Sequence, residues 1–485
     1  MLLLIQAGRA FARNIPAIVP NISFLGLDLS LIPLSDEDRF DAISTMFLQQ
    51  KRLFTMRFGP IMLLGTCHPE LMHVLLTHPD CLEKPFLYDV AGYENGLFSA
   101  KYNLWKSQRK ALNPTFNSKI LNSFVSIFES CCRQLVSNLS QCEDGGTVNI
   151  LDYTSKCTLE MVCSTTLGSE NLQKDGKNAF LHGVEQIFDF ISRRMLNIHH
   201  YPELLYRMTS TCQEDRAARK VCKEFVEKII KDKRDQASQS AEPEDVDTQE
   251  EHFRKPQLFI DQLLSISQID RKFSDVEILD NIFTIMAAGN DTSGLEVAHA
   301  CLLLAMHPEI QEKVFSEVAS FFPVEEEEEI NADYLKRFEY TEMFLKECLR
   351  FCPVAPHVAR KNLVPIDLDG VTIPAGNVFV CSIYALHRRQ DFWGPHAELF
   401  NPENFNLEHC KARHPAAFMP FSTGTRSCIG GRYAMISMKL MILHIVRNFK
   451  LSTHLKTSDL RFRFGITLRP SFKHLIRIEK RTNHA

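Results

Sequence analysis

Residues 420–431 read PFSTGTRSCIGG. One cysteine, Cys428, sits in a glycine-rich turn with an aromatic seven residues before it and an arginine two before. Fourteen other cysteines occur elsewhere, none in a C-x-x-C pair, and many lie in apolar helical runs where free cysteine behaves as a small hydrophobe. That usage fits a reduced, cytosol-facing chain and argues against a disulfide scaffold or a zinc site. Cys428 stands apart because glycines on both sides let the backbone fold closely around its sulfur. The residues after it, RYAMISMKLMILHIVRNF (432–449), are strongly apolar and read as a helix whose N-terminus favours a negative sulfur.

Working outward, residues 338–351 form a helix carrying Glu347 and Arg350, neighbours on one face by their i, i+3 spacing. Residues 274–305 give the strongest helix signal. Ser274 and Glu277 make a capping box, and a long apolar run ends at Pro308. AGNDTSG interrupts this run with poor helix formers and an acid. It reads either as a kink with a satisfied polar patch or as a place where the helix opens beside a ligand. Nearer the start, WKSQR places Trp105 one helical turn before Arg109.

Residues 39–50 read as an amphipathic helix, 54–66 as a β-hairpin, and about 68–235 as mostly helical. Residues 235–256 and the acidic run 325–329 read as solvated loops. Short strands with tight turns at Asp369-Gly370 and Pro374–Gly376 occupy 360–381, and the C-terminal stretch is strand-like. With 485 residues, 45% of them hydrophobic, the chain buries a large core. Its net charge of −4, without a basic stripe interleaved with aromatics, excludes nucleic acid as a partner. At the N-terminus only residues 1–5 are strongly apolar, far short of the about 20 that a spanning helix needs. Residues 15–34 are apolar but broken by Pro16, Pro20 and Pro33, so they suit contact with a membrane surface.

Together, and in this order, the motifs resemble those of the cytochromes P450, the haem-thiolate monooxygenases. Phe421, Gly424, Arg426, Cys428 and Gly430 match the family's F-x-x-G-x-R-x-C-x-G signature. AGNDTS (288–293) matches its oxygen-activation motif, Glu347-x-x-Arg350 its E-x-x-R, and Trp105-x-x-x-Arg109 its W-x-x-x-R. The resemblance runs from about residue 35 to the end. It implies a mainly α fold, a large helical bundle around haem with a smaller β-rich region. Residues 35–485 then form a single catalytic domain behind a short N-terminal segment, 1–34.

The resemblance also assigns roles. Cys428 becomes the axial ligand of haem iron, shielded by Phe421, with Gly424 and Gly430 allowing close approach to sulfur and porphyrin. Arg426, Arg109 and Arg360 pair with the haem propionates, and Trp105 donates its indole N–H. Ala288 and Gly289 leave room for O2, Thr292 holds a water or the bound oxygen, and Asp291 relays protons. Glu347 and Arg350 brace the structure. Relatives close that brace with the arginine of a P-E-R-F segment. Here the segment is PENF (402–405), and Asn404 leaves His387 or backbone groups to complete it.

The style of the chain resembles the animal microsomal branch that includes family 4 and its insect relatives. Many of these carry a glutamate that esterifies to a haem methyl. Ala288 stands there, which implies haem b held without a covalent ester. Phe283, Ala287, Val354, Val358 and Ile466 suggest an apolar substrate. No nucleotide or flavin module is present, so electrons come from NADPH through an FAD- and FMN-containing NADPH-cytochrome P450 reductase, with cytochrome b5 a further partner. Lys106, Lys411, Arg413, Arg432 and Lys439 suggest a basic docking face. The expected location is the cytosolic face of the endoplasmic reticulum membrane (the microsome), held peripherally. Two other readings are a haem-thiolate isomerase or dehydratase that needs no reductase, disfavoured by Asp291-Thr292, and a non-catalytic haem or lipid binder.

Overall fold

The computed structural model describes residues 11–12, 15–17, 23–24, 27–28, 34–58, 61–168, 174–196, 200–239, 258–270, 273–321, 331 and 333–481. Residues 1–10, most of 15–34, the turn at 59–60, the end of the proposed loop at 240–256 and the acidic run 325–329 lie outside them.

The described chain is predominantly helical, with small sheets at its margins. Helix α1 (Asp36–Gln49) starts at Ser35, whose hydroxyl accepts from the Asp38 N–H. Strands β1 (Phe54–Phe58) and β2 (Ile61–Thr66) pair antiparallel, as the hairpin reading requires. Helices α2 (Pro69–Thr77), α3 (Tyr102–Leu112) and α4 (Val125–Ser140) follow, then β3 (Thr147–Asn149) and the long helices α5 (Ile150–Thr166), α6 (Lys174–Leu196) and α7 (Ser210–Gln239). Helix α7 continues through Gln239, so residues 235–239 of the segment read as a loop are helical. Lysine, arginine, glutamine and alanine in KDKRDQASQ all suit a solvated helix, so lack of apolar periodicity did not mean lack of helix.

Helix α8 (Asp275–Met306) crosses the interior, started by the expected capping box of Ser274 and Glu277. It is followed by α9 (Pro308–Phe321), α10 (Glu339–Phe351) and β4 (His357–Lys361). The hairpin of β5 (Ile366–Leu368) and β6 (Val371–Ile373) turns on Asp369 and Gly370, both at positive φ (54° and 75°), as a two-residue turn demands. Strand β7 (Val378–Ser382) joins a four-stranded sheet of order β1-β2-β7-β4, in which β2 and β7 are parallel. The chain ends with α11 (Gly431–Asn448), β8 (Phe449–Ser452), β9 (Phe462–Arg463), β10 (Arg469–Pro470) and β11 (Leu475–Lys480). Strand β11 lies between β8 and β3.

The glycines and polar residues of α8 are explained by packing. Helix α5 presses against it so closely that a Cβ on Gly294 would lie 2.8 Å from Thr158 Oγ1 and 3.0 Å from Ser155 Cα. Thr154 Oγ1 donates to Gly294 O at 2.8 Å, and Thr158 Oγ1 donates to Asn290 Oδ1 at 2.9 Å. The helix is continuous through AGNDTSG. The polar patch is satisfied on the α5 side while the opposite side stays free.

Candidate active site

That free side borders a cavity of about 380 Å3, lined mostly by apolar atoms. Its wall on α8 is Ile285, Ala288, Gly289, Thr292, Ser293 and Glu296, at i, i+3, i+4, i+7, i+8 and i+11, one helical face. Facing it is the loop before α11, with Phe421, Arg426, Cys428, Ile429 and Gly430 in the wall. Val354, Val358, Gly465 and Ile466 close a further side, where Leu468 N–H bonds Val354 O at 2.8 Å.

Two substrate-wall expectations fail. Phe283 and Ala287 belong to a different face of α8 and are buried. Phe283 stacks on Tyr93, with ring centroids 3.7 Å apart. Sequence reading also missed Lys84, Leu87 and Tyr88, together with Ile191 and Met195 from α6. They come from segments without a motif and reach the cavity only through the fold.

The Cys428 loop is built from backbone groups. Cys428 N–H donates to Phe421 O at 2.9 Å, and the sulfur is open to the cavity. Burial pushes the thiol up, while the Gly430 N–H and the Arg109 guanidinium pull it down. Gly430 borders the sulfur as expected: a Cβ there would lie 3.9 Å from Sγ. Gly424 has a packing role. Its φ is +77°, and a Cβ would fall on the Leu76 carbonyl oxygen, so its bareness seats the loop on the end of α2.

Cations gather at one end. Arg426 donates from Nη2 to Ala100 O at 2.7 Å, and its Cζ lies 4.3 Å from the Trp105 ring centroid. Its Nε and Nη1, and Nε of the buried Arg360, have no partner. Lys84 lies between Tyr88 and Phe98, its Nζ 3.8 and 4.4 Å from the ring centroids. Burial and then Arg360 push Arg426 down to about 9, and burial, Arg360 and Arg426 hold Lys84 well below its ordinary range. Arg109 turns to the protein itself, donating from Nη1 to Ser427 O at 2.8 Å and from Nε to Asn113 Oδ1 at 2.6 Å. Trp105 and Arg109 thus stand behind the cavity wall, bracing Arg426 and the cysteine loop.

Across the cavity, Thr292 Oγ1 donates to Ala288 O at 2.7 Å. Asp291 points away from the cavity and pairs with Arg469 of β10, with Thr467 beside it. Burial raises its carboxyl above the ordinary range, opposed by Arg469.

Beneath the loop, the completely buried Glu347 and Arg350 form a network. Arg350 donates to the carbonyls of His387, Ala397 and Leu399 at 2.7–2.9 Å. Glu347 Oε1 accepts from Asn401 N at 2.7 Å and from Asn404 Nδ2 at 3.1 Å. Asn404 therefore closes the network as a neutral amide, and His387 enters it through its backbone. Arg413 donates to Asn404 O and stacks on Trp393 at 3.7 Å. This removes Arg413 from the expected basic docking face. Lys439, buried and paired with Glu342 at 3.1 Å, leaves it too. Arg432 donates to Ser118 Oγ at 3.1 Å, and Lys106 lies 5.5 Å from the Tyr102 ring.

The Cytochrome P450 family model matches residues 16–476. The chain belongs to the cytochrome P450 family. Cytochrome P450 4c21 of Blattella germanica is 31% identical over 461 residues, covering 94% of this chain and 91% of the relative. Probable cytochrome P450 313a5 of Drosophila melanogaster is 28% identical over 464 residues, covering 94% and 92%. Probable cytochrome P450 313a1 of the same fly is 31% identical over 438 residues, covering 87% and 85%. The P450 is accordingly an oxygen-incorporating oxidoreductase of a haem-iron family, and its mainly helical fold with small sheets is the family's. The residues in place fit that group. A sulfur faces an enclosed apolar cavity, and buried arginine nitrogens without partners await anionic groups at one end.

Proposed function

We propose that this P450 is a haem-thiolate monooxygenase that inserts one oxygen atom of O2 into an apolar organic substrate (a lipid, hormone or xenobiotic). Its electrons come from NADPH through a diflavin reductase. The observation that carries the reading is Cys428, open to an apolar cavity whose wall also carries the Thr292 face of α8. Haem iron ligated by this thiolate supplies the binding and reductive activation of O2.

The chain's own residues do the rest. The Gly430 N–H and Arg109 favour the ionised sulfur against the cost of burial. Arg426 and Arg360 hold the haem carboxylates through nitrogens that have no protein partner, with Trp105 and Arg109 keeping Arg426 and the loop in place. Phe421 covers the sulfur side, and Ala288 and Gly289 keep the opposite wall low. The Thr292 hydroxyl holds a water in a site that is otherwise dry, and Asp291, held by Arg469 on the side away from the cavity, relays protons from behind that wall. Ala288 offers no carboxylate, so the haem is held without an ester. Val354, Val358, Ile466, Phe98, Ile191 and Met195 select an apolar substrate.

Peripheral attachment to the cytosolic face of the endoplasmic reticulum completes the proposal. Among the described residues no helix is long and apolar enough to cross a membrane. Leu204, Leu205 and Met208 stand exposed around one short helix (Glu203–Arg207), which suits contact with a membrane surface. Sedimentation with microsomes that survives high salt supports this attachment, and full solubility rejects it.

The reduced, carbon-monoxide-bound absorption spectrum tests the ligand. A red-shifted, thiolate-type Soret band is expected, and its absence from folded, haem-loaded protein overturns the reading. Substrate turnover that requires NADPH and reductase tests the electron source.

A further inference from the structure

Glu296 is the least expected residue in the cavity wall. It follows Thr292 by four positions on α8, so both side chains stand on one helical face with Cβ atoms about 5–6 Å apart. It is 1% exposed, and neither carboxyl oxygen has a partner. An isolated buried carboxylate is strongly disfavoured. Burial accordingly raises the Glu296 carboxyl well above its ordinary range, leaving an acid with a proton to give.

Two imidazoles stand behind it. His299 Nδ1 lies 3.9 Å from Glu296 Oε2, and the His474 ring lies 5.1 Å from the His299 ring. Each is 2% exposed. Both nitrogens of His299 and Nε2 of His474 lack hydrogen-bond partners, so a row of unpartnered polar atoms leads from the cavity wall toward the partly exposed Arg469. Such clusters in protein interiors are where ordered water resides. Burial holds both rings neutral, with the Arg469 charge acting in the same direction. The thiols of Cys348, within α10, and Cys352, at its end, stand near enough to feel a charge on Glu296. Arg469, which anchors Asp291, stands near the far end of the row.

We propose that Glu296 is a second proton donor of the site, feeding Thr292 through a bridging water, with His299 and His474 as the path that refills it. The proposal rests on the monooxygenase reading. Inserting one oxygen atom of O2 and releasing the other as water consumes two electrons, supplied by the reductase, and two protons. The Glu296 O–H bond breaks and its proton passes to the bridging water. That water gives a proton to Thr292 Oγ1 as the threonine passes its own hydroxyl proton into the cavity. The carboxylate regains a proton from water beside His299. The imidazole accepts on one nitrogen and releases from the other, so it ends neutral in its other tautomer, and a turn of the ring resets it before the next proton.

The test compares wild type with Glu296→Gln, which keeps the shape and removes the acid. The first readout needs no turnover. The infrared difference spectrum of haem-loaded protein should show a protonated-carboxyl C=O band that shifts in D2O and vanishes in the variant. In the second, with reductase and NADPH, product formed per NADPH should fall about tenfold, within the reach of general acid catalysis, the lost electrons appearing as peroxide. The substrate-binding spectral shift should be unchanged. If Glu296→Gln loads no haem, His299→Gln gives the same turnover readout. A missing acid band, or variant coupling equal to wild type, overturns the proposal. A wild type that consumes no NADPH with reductase overturns the monooxygenase reading and this proposal together, whereas a coupled wild type with an unaffected variant overturns only this one.

Discussion

Arg350 grips Glu347 with two parallel hydrogen bonds, Nε to Oε2 and Nη2 to Oε1, each 2.7 Å, and neither side chain touches solvent. Three carbonyls, one backbone N–H and the Asn404 amide use the remaining capacity of the pair. Such a pair adds little net stability over an apolar replacement, but removing one partner strands a buried charge.

Glu347→Gln is therefore expected to cost about 3–5 kcal/mol, the range for breaking a buried pair. Chemical denaturation of the haem-loaded protein measures it. Asn404→Ala, which removes one hydrogen bond of 3.1 Å and no charge, should cost about 1 kcal/mol.

Gly424→Ala meets two obstacles, a positive φ and the Leu76 carbonyl oxygen, on which the new Cβ would fall. Backbone strain alone is worth about 1–3 kcal/mol. Thermal unfolding should drop, and the thiolate-type Soret band should weaken because the loop bearing Cys428 no longer seats on α2. Gly370→Ala, with nothing within 4 Å of the added methyl, tests positive φ without the clash and should unfold nearer the wild type.

Haem should leave the protein completely in acid acetone. Haem retained on the chain after extraction would show a covalent bond that Ala288 cannot form. Arg426→Leu should weaken haem retention without changing that extraction. Competition with apomyoglobin gives the rate of loss.

Burial and Arg469 push the His474 imidazole down to about 3. The unfolded chain, with an ordinary histidine near 6.5, binds a proton that the folded chain refuses as pH falls. This contribution to stability is complete above about pH 6.5, declines below it by about 1.4 kcal/mol per unit, and levels off near pH 3. His474→Gln should flatten the stability curve below pH 6.5, as read from denaturant midpoints.

The motifs that name the chemistry were legible because each is local. Phe421 to Gly430 lie within ten residues, and Glu347 and Arg350 within one helical turn. The start of α8 was equally readable, since a capping box is a short-range hydrogen-bond pattern. Phe283 and Ala287 show where this stops. Both are apolar and both lie on the right helix, but only the phase of α8 against α5 decides which apolar face is wall and which is core. The close approach at Gly294 sets that phase.

The sequence by itself determined the family and the mainly helical plan and singled out Cys428, because these rest on spacing along the chain and on hydrophobic periodicity. Only the tertiary structure decided that Arg469 anchors Asp291 across 178 positions, that Asn404 completes the Glu347 network, and that Glu296, His299 and His474 form one buried row. Such contacts join segments far apart in sequence. Their partners are selected by the exclusion of water from buried polar groups, a constraint that acts only once the chain has folded.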